Sequence, residues 1–550
     1  MDKDLQSIQE VRDLLNDASR AFEEYSQFSQ AQIDEIVGEI CEEAQKHDVE
    51  LAKLANEETG FGRWEDKVLK NRLASAGVYE TIKDLKTKGI ICEDKEKGII
   101  EIGVPMGIIA ALIPSTNPTS TTIYKIMISL KAGNAVIVSP HPNAKDCIIK
   151  TAEYLIKAAE RKGAPKGLIG VIRTPTLQGT QELMKHKKTS LILATGGEAM
   201  VRAAYSSGTP AIGVGPGNGP SFIERSADIR KAIKRIIDSK TFDNGVICAS
   251  EQSIVTEEVI KHQVVDELKR QGAYFLNKDE REKVGKILMR ANNTMNPKIV
   301  GKTALYIAAM AGITVPVATK VLISEETEVS HLNPYSREKL CPVLGFYIEE
   351  NWEKACEKCI EILENEGIGH TMSMHTNNEN IIREFSLKKP VSRLLVNTPA
   401  AFGGVGATTN LIPAFTLGCG TVGAIAIVLA GAYPLVHFIT KVFGKPLEVL
   451  GKGLGMNEAG AAGLVATLAN NIPMFGILKD MDANGKVMNI AFAVSAAFVF
   501  GDHLGFTVGF ELNGERFTQM IFPMIVGKLV AGVTAILVAK ILFCKKETTK

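Results

Sequence analysis

The chain has 550 residues, with 63 Lys/Arg against 62 Asp/Glu and a net charge of +1. That balance argues against a nucleic-acid surface, and the length is too great for a single core, so two or three domains are expected. The averages conceal a change of solvent. The first 400 residues hold 106 charged side chains and the last 150 hold 19, with none between Arg393 and Lys441 or between Glu458 and Lys479, the texture of a bilayer-embedded tail.

Met1–Glu10 is polar and acidic, so no signal peptide is expected. Residues 4–60 predict helices. Leu5, Ile8, Val11 and Leu15 keep a spacing of three to four, and Ser29 with Gln32 forms a capping box ahead of Ile33 and Val37. A leading amphipathic helix can also dock on a protein shell such as a microcompartment; packing against the core is the simpler reading. From Lys97 short apolar runs alternate with helical stretches. The runs are Ile99–Val104, Met106–Ile113, Ala135–Ser139, Ile169–Ile172 and Leu191–Ala194; the helices are 121–132, 144–162 and 180–186. Such βαβ alternation predicts a parallel sheet that binds ligands at the carboxyl ends of its strands. Two glycine-rich turns fall there, Thr195-Gly196-Gly197 and Gly213–Gly219, although neither matches GxGxxG.

Phe242–Gln252, FDNGVICASEQ, places the thiol of Cys248 after a tight Asn244-Gly245 turn and an apolar Val246-Ile247 pair. On this stretch alone a buried, inert cysteine is the commoner outcome. The nine cysteines (41, 92, 147, 248, 341, 356, 359, 419, 544) show no framework spacing, as in a reduced compartment. Cys356 and Cys359 form a CxxC inside a helical run without a second pair, so no metal is expected.

IPSTNPTST (113–121), SPHPNAK (139–145), GVGPGNGP (213–220), FDNGVICASEQ (242–252), EKLCPVLG (338–345), GIGHTMSMHT (367–376) and FGGVGATTNLIPAFTLGCG (402–420) occur in order. Together they resemble the CoA-acylating aldehyde dehydrogenases, in particular the acetaldehyde dehydrogenases of ethanolamine utilisation and the first half of bifunctional aldehyde-alcohol dehydrogenases. The resemblance implies an α/β fold with a Rossmann-like NAD domain (1–221), a catalytic domain (222–420) and an oligomerisation element near 95–105. It implies that Cys248 attacks a short aldehyde, that Asn117 and the Cys248 amide hold the developing oxyanion, and that His370 acts near the thiol. Glu338 would bind the nicotinamide ribose. Ile113, Pro114, Ser115, Ser139, His141, Thr195, Gly196, Gly197, Gly215 and Gly217 would line the dinucleotide, and the lack of a lysine beside Ser139 favours NAD over NADP. Ordinary members hydrolyse the thioester with water activated by a glutamate in the glycine-rich turn. Gly213-Val214-Gly215-Pro216-Gly217 has no carboxylate, and loss of a positioned base costs about 100- to 10,000-fold, so the thiol of coenzyme A becomes the acyl acceptor.

After Gly420 the pattern breaks. GAIAIVLAGAYPLV, LGMNEAGAAGLVATLANNIPMF, NIAFAVSAAFVFGDHLGFT and PMIVGKLVAGVTA resemble the C-terminal part of the ethanolamine permeases. The seam is Gly418–Gly423, and the whole looks like a fusion. The resemblance implies an all-α transmembrane region (421–545) of about four spans, at 421–440, 459–478, 487–510 and 517–543. Small residues at 459–463 and 493–497 would permit close helix contact. Asp502, His503 and Lys528 interrupt apolar runs, and ionisable groups at that depth are functional candidates; Asp502 would face the ammonium of ethanolamine and Asn470 and Asn471 its hydroxyl. Asp502 and Lys528 neutralising each other remains the alternative. The expected location is the cytoplasmic membrane with the dehydrogenase part in the cytosol, in a possible homo-oligomer. The alternatives are a microcompartment-associated enzyme, or a transporter fragment carrying an inactive dehydrogenase.

Overall fold

The computed structural model describes residues 2–95, 98–402, 453–469, 474–475, 477–497, 499, 511–512, 515–516 and 518–543. The seam at 418–423 and the candidates Asn470, Asn471, Asp502 and His503 lie outside them. The chain divides into two compact units, Met1–Thr409 and Asn410–Lys550.

In the first unit the expected amino-terminal helices form at Lys3–Tyr25, Gln30–Lys46 and Asp48–Thr59. Ser29 and Gln32 close the capping box reciprocally. Val11, Leu15, Ala18 and Tyr25 are buried, but Leu5 is 62 % exposed, so the buried stripe begins one to two turns later than its spacing predicts. The run at Ile99 leaves the parallel sheet altogether. β1 (Gly89–Asp94) and β2 (Ile99–Gly103) make an antiparallel hairpin whose Ile90, Ile91, Ile99, Ile100 and Ile102 are exposed. This is the place where the resemblance expects an oligomerisation element.

β3 (Ile108–Leu112), β4 (Ala135–Ser139), β5 (Ile169–Val171), β6 (Thr189–Thr195) and β7 (Ala211–Val214) form a parallel sheet in the order β5-β4-β3-β6-β7. Every residue of β3 and β4 is buried, as helices on both faces require. The chain winds outward through β4 and β5, then returns to place β6 on the other side of β3. The crevice for a ligand therefore opens between the carboxyl ends of β3 and β6. Lys125, buried on the helix Pro118–Lys131, donates to the carbonyls of Leu112 (2.7 Å) and Leu193 (2.8 Å) and so ties these two strand ends together.

A second parallel sheet contains β8 (Gly219–Ile223), β9 (Glu251–Glu257), β10 (Ala273–Phe275), β11 (Val321–Glu325), β12 (Val343–Glu349), β13 (Thr371–His375) and β14 (Arg393–Val396), in the order β10-β11-β12-β9-β8-β13-β14. Adjacent residues face opposite layers. Ile223 packs with Ile233, Ile236 and Val264, and Phe222 packs with Ala355, Ile362 and Phe385. Cys356 and Cys359 are buried in that second layer on the helix Trp352–Asn365, and the described residues hold no His/Cys/Asp/Glu cluster fit for a metal.

In the second unit, helices Glu458–Ala469 and Ala483–Ala496 pack together, and Ala483–Ala496 packs on Ile521–Phe543. The small residues act as their sequence suggests. A Cβ on Gly463 would lie 2.4 Å from Asn489 Oδ1, and one on Gly532 would lie 2.5 Å from Ala496 Cβ. Among the described residues one helix, Ile521–Leu542, is long and apolar enough to cross a membrane, and its side chains are mostly exposed. Within the expected spans 459–478 and 487–510 the described helices are Glu458–Ala469 and Ala483–Ala496, and 470–473 and 500–510 lie outside the described residues. The stretch 421–440 lies outside the described residues.

Candidate active site

The backbone brings the thiol to an edge that the sequence reading does not anticipate. In the five-stranded sheet the candidate residues follow the strands, at the carboxyl edge. In the seven-stranded sheet they precede them: Gly217 before β8, Cys248 before β9, Glu338 before β12, His370 before β13, with Arg393 opening β14. The site therefore forms where the carboxyl edge of one sheet faces the amino edge of the other.

Cys248 sits half-buried at the end of a turn in which Asp243 (φ 50°), Asn244 (φ 51°) and Gly245 (φ 79°) are all left-handed. Two consecutive non-glycine residues there store strain of order 1–3 kcal/mol each, so tertiary contacts must hold the turn. Asp243 supplies them. Fully buried, it accepts from Lys67 Nζ (2.9 Å), the Arg63 amide (2.6 Å) and Lys70 Nζ, and its own amide donates to Asp66 Oδ2 (2.8 Å). Gly62 is needed beside it, because a Cβ there would fall 1.8 Å from Asp243 Oδ1. Val246 is buried against Val300 and Leu340, the apolar wall that the sequence implies.

Burial pushes the Cys248 thiol above its ordinary pKa, while the cations of Arg393 and Lys70 pull against it. A thiol so placed needs a proton acceptor to become a nucleophile. His370 and the Cys248 backbone meet at Gly217, where a Cβ would lie 1.8 Å from the Cys248 carbonyl oxygen and 3.1 Å from His370 Cε1, so both press on the same side-chain-free backbone. Burial lowers the His370 pKa, against the opposing pull of Glu338, and its Nδ1 is buried with no partner in the structure. The imidazole is therefore neutral at pH 7 and able to accept a proton.

Glu338 Oε1 accepts from the Gly217 amide at 2.8 Å. Burial, reinforced by Cys248, raises its pKa to about 8, so it is mostly protonated at neutral pH. Because the folded-state value lies above the ordinary glutamate value, stability from this group is fully present below the ordinary value and lost as pH rises through about 8. A Glu338→Gln variant, which cannot ionise, is expected to lose a few degrees less in Tm than the parent between about pH 6 and pH 9. Differential scanning calorimetry at the two pH values checks this, and equal losses would count against it.

Asn117 immediately precedes the helix Pro118–Lys131 at the carboxyl edge beyond β3, and its side chain makes no capping bond to that helix. Its Oδ1 accepts from Lys70 Nζ at 2.8 Å, and its Nδ2 reaches only Thr116 Oγ1, at 3.5 Å. An amide N–H is thus left for another acceptor. Ile113, Pro114 and Ser115 precede it in the same loop, and the Ile113 amide donates to the Ser139 carbonyl (3.0 Å). The Ser139 hydroxyl is buried and shared with Thr180 (3.0 Å), leaving His141 nearer the edge, where its Nδ1 accepts from the Asn143 amide. Thr195 ends β6, and Gly196-Gly197 lead into the helix Glu198–Tyr205. A Cβ on Gly197 or Gly215 would meet nothing within 4 Å, an open backbone that a pyrophosphate can approach. The residues present thus fit a dinucleotide lying across the β3/β6 crevice.

Sequence reasoning passed over four groups here: Lys67, Lys70 and Asp243 around the turn, and Arg393 facing the thiol. Arg393 Nε donates to Thr371 Oγ1 (3.2 Å), and its amide donates to the His370 carbonyl (3.2 Å). Lys528, the one transport candidate among the described residues, lies half-buried on Ile521–Phe543 in the other unit.

Residues 4–291 match the aldehyde dehydrogenase family, and residues 386–542 match the ethanolamine utilisation protein EutH. The EutH match begins ahead of β14, which pairs with β13 in the seven-stranded sheet. The bifunctional aldehyde-alcohol dehydrogenase AdhE of Escherichia coli K12 is 44 % identical over 422 residues, covering 76 % of this chain and 47 % of that protein. The chain thus spans about half the length of the first curated relatives it matches. A probable aldehyde dehydrogenase from Listeria monocytogenes EGD-e superposes with a TM-score of 0.73 at 59 % identity, over 75 % of this chain and 91 % of that one. An acetylating aldehyde dehydrogenase from Geobacillus thermoglucosidasius gives 0.72 at 52 %, over 74 % and 90 %. The propionaldehyde dehydrogenase of Rhodopseudomonas palustris, solved with bound CoA and an acylated cysteine, gives 0.64 at 28 %, over 72 % and 89 %. With a thiol, an amide donor and a dinucleotide crevice brought together by two parallel sheets, and with these matches over the same residues, the chain belongs to the aldehyde dehydrogenase family.

Proposed function

We propose that the chain oxidises acetaldehyde, or another short aldehyde, to an acyl-CoA with NAD, and that it does so within ethanolamine utilisation from a membrane-attached position. His370 takes the proton from Cys248, the sulfur bonds to the aldehyde carbon, and the former carbonyl oxygen becomes an oxyanion facing the Asn117 amide and the Cys248 N–H. NAD held along the β3/β6 crevice by the open backbone at Gly197 and Gly215 would accept the hydride that leaves the thiohemiacetal carbon, and the carbon–oxygen double bond re-forms as a thioester on Cys248. Once His370 has passed that first proton to solvent, it takes the proton of the CoA thiol, the CoA sulfur bonds to the acyl carbon, and the C–S bond to Cys248 breaks, so that Cys248 leaves as the thiolate.

The observation that carries this reading is the state of the two groups, Glu338 and His370, that a base would have to come from. Glu338, the carboxylate nearest in effect to the thiol, is mostly protonated at pH 7, and His370 has a depressed pKa. A weak base draws a proton from a thiol of pKa about 8.5 far more readily than from bulk water at about 15.7. The acylated cysteine and bound CoA of the Rhodopseudomonas palustris enzyme support the same order of events.

The EutH match and the apolar, exposed helix Ile521–Leu542 support membrane attachment and a partial ethanolamine permease. On this reading Asp502 would bind the ammonium of ethanolamine. Carbonate-washed membranes carrying the full chain should reduce NAD when given acetaldehyde and CoA. Activity found wholly in the soluble fraction would remove the membrane assignment and leave the chemistry intact.

A further inference from the structure

Lys70 lies on the helix Trp64–Arg72, 173 residues before the turn it touches, and it is 7 % exposed. Its ammonium has three protons and three acceptors: Asn117 Oδ1 at 2.8 Å, the Val246 carbonyl at 2.6 Å and Asp243 Oδ2. One acceptor belongs to the oxyanion candidate of the first sheet. The other two belong to the strained turn that presents Cys248. An ammonium has donors only, so the Asn117 atom it touches must be the amide oxygen, and the NH2 group has to point away from Lys70. A methyl or a water in that position would leave the amide free to flip and put an acceptor toward a developing oxyanion.

We infer that Lys70 is a positioning residue, which fixes the Asn117 amide with its N–H toward the reacting carbonyl and locks that donor in register with the Cys248 loop through the Val246 carbonyl. The inference deepens the proposed reaction and rests on Asn117 being the oxyanion donor. The Asp243 carboxylate, shared with Lys67, supplies the counter-charge that lets Lys70 stay an ammonium inside the protein, although burial takes its pKa down to about 8.

The test is a double-mutant cycle on the full chain, with Lys70→Met, Asn117→Ala and the pair, read as kcat and KM for acetaldehyde at saturating NAD and CoA. Lys70→Met should lower kcat by about 10- to 100-fold with little change in KM, as loss of orientation does. In the Asn117→Ala background the same substitution should cost clearly less than it does alone, leaving only the part that acts through the Cys248 turn. A loss that adds in full to that of Asn117→Ala would overturn the inference, because Lys70 would then act independently of the amide. Lys70→Gln, which keeps a donor of similar reach, is the second variant and should retain more kcat than Lys70→Met. If neither folds, Lys70 is a structural residue alone and the inference fails. An unmodified chain with no CoA-dependent turnover would instead remove the proposed reaction.

Discussion

Cys248→Ala is expected to cut acetaldehyde-dependent NADH formation by roughly 10,000-fold or more, the scale on which removal of a covalent nucleophile acts. The loss should fall on kcat, since the substitution deletes the atom that carries the acyl group and leaves the dinucleotide crevice at β3 and β6 untouched. Fold should survive. The turn that carries the sulfur is held by Asp243 with Lys67 and Lys70, and the substitution leaves those bonds in place. Equilibrium binding of NAD to the variant, by quenching of protein fluorescence, should match the parent within a factor of about two. Retained turnover would mean that another cysteine does the chemistry; among the described ones Cys41, Cys147, Cys341, Cys356 and Cys359 are buried, and Cys92 is exposed on β1.

Asn117→Ala should lower kcat by about 100- to 1,000-fold, the usual effect of deleting one oxyanion donor. The reason lies in when the contact is made. The Asn117 N–H has no strong partner in the resting structure, so its energy is gained as negative charge develops on the substrate oxygen, and KM should move little. Stability should fall only modestly, because Lys70 keeps the Asp243 carboxylate and the Val246 carbonyl as acceptors. Steady-state kinetics with a thermal melt on the same sample separates the two effects. A large rise in KM with kcat intact would assign Asn117 to ground-state binding instead.

Much of the first sheet is legible in the sequence, because buried parallel strands read as uninterrupted apolar runs and the helices between them keep their period. The helix expected at 121–132 forms at Pro118–Lys131, starting earlier because Pro118 suits a first helical turn. The run at Ile99 misleads for the same reason that makes it readable. An exposed apolar hairpin has the composition of a buried strand, and only the fold shows that its isoleucines lack a cover within the described residues. The candidate residues that a motif carries, Cys248, Asn117, His370 and Glu338, can be read from the sequence. The site is illegible where it depends on long-range pairing. Lys70 stands in WEDKVLKNR, which reads as a solvated helix, and nothing local shows that residue 243 will bury it. Nor does periodicity reveal that the second sheet offers its amino edge. In the tail, hydropathy over about 20 residues detects apolar stretches, whereas helix ends are set by groups such as Asp482, which caps Ala483–Ala496 through the Gly485 amide.

The proposed transfer of the acyl group from Cys248 to a thiol in place of water is the step on which the rest depends. Rapid mixing of the protein with acetaldehyde and NAD, without CoA, measures it directly. The expected result is one burst of NADH per site, an acetyl group on the peptide that contains Cys248, and steady turnover that begins only when CoA is added. Continuous NADH formation without CoA, with free acetate accumulating, would contradict it.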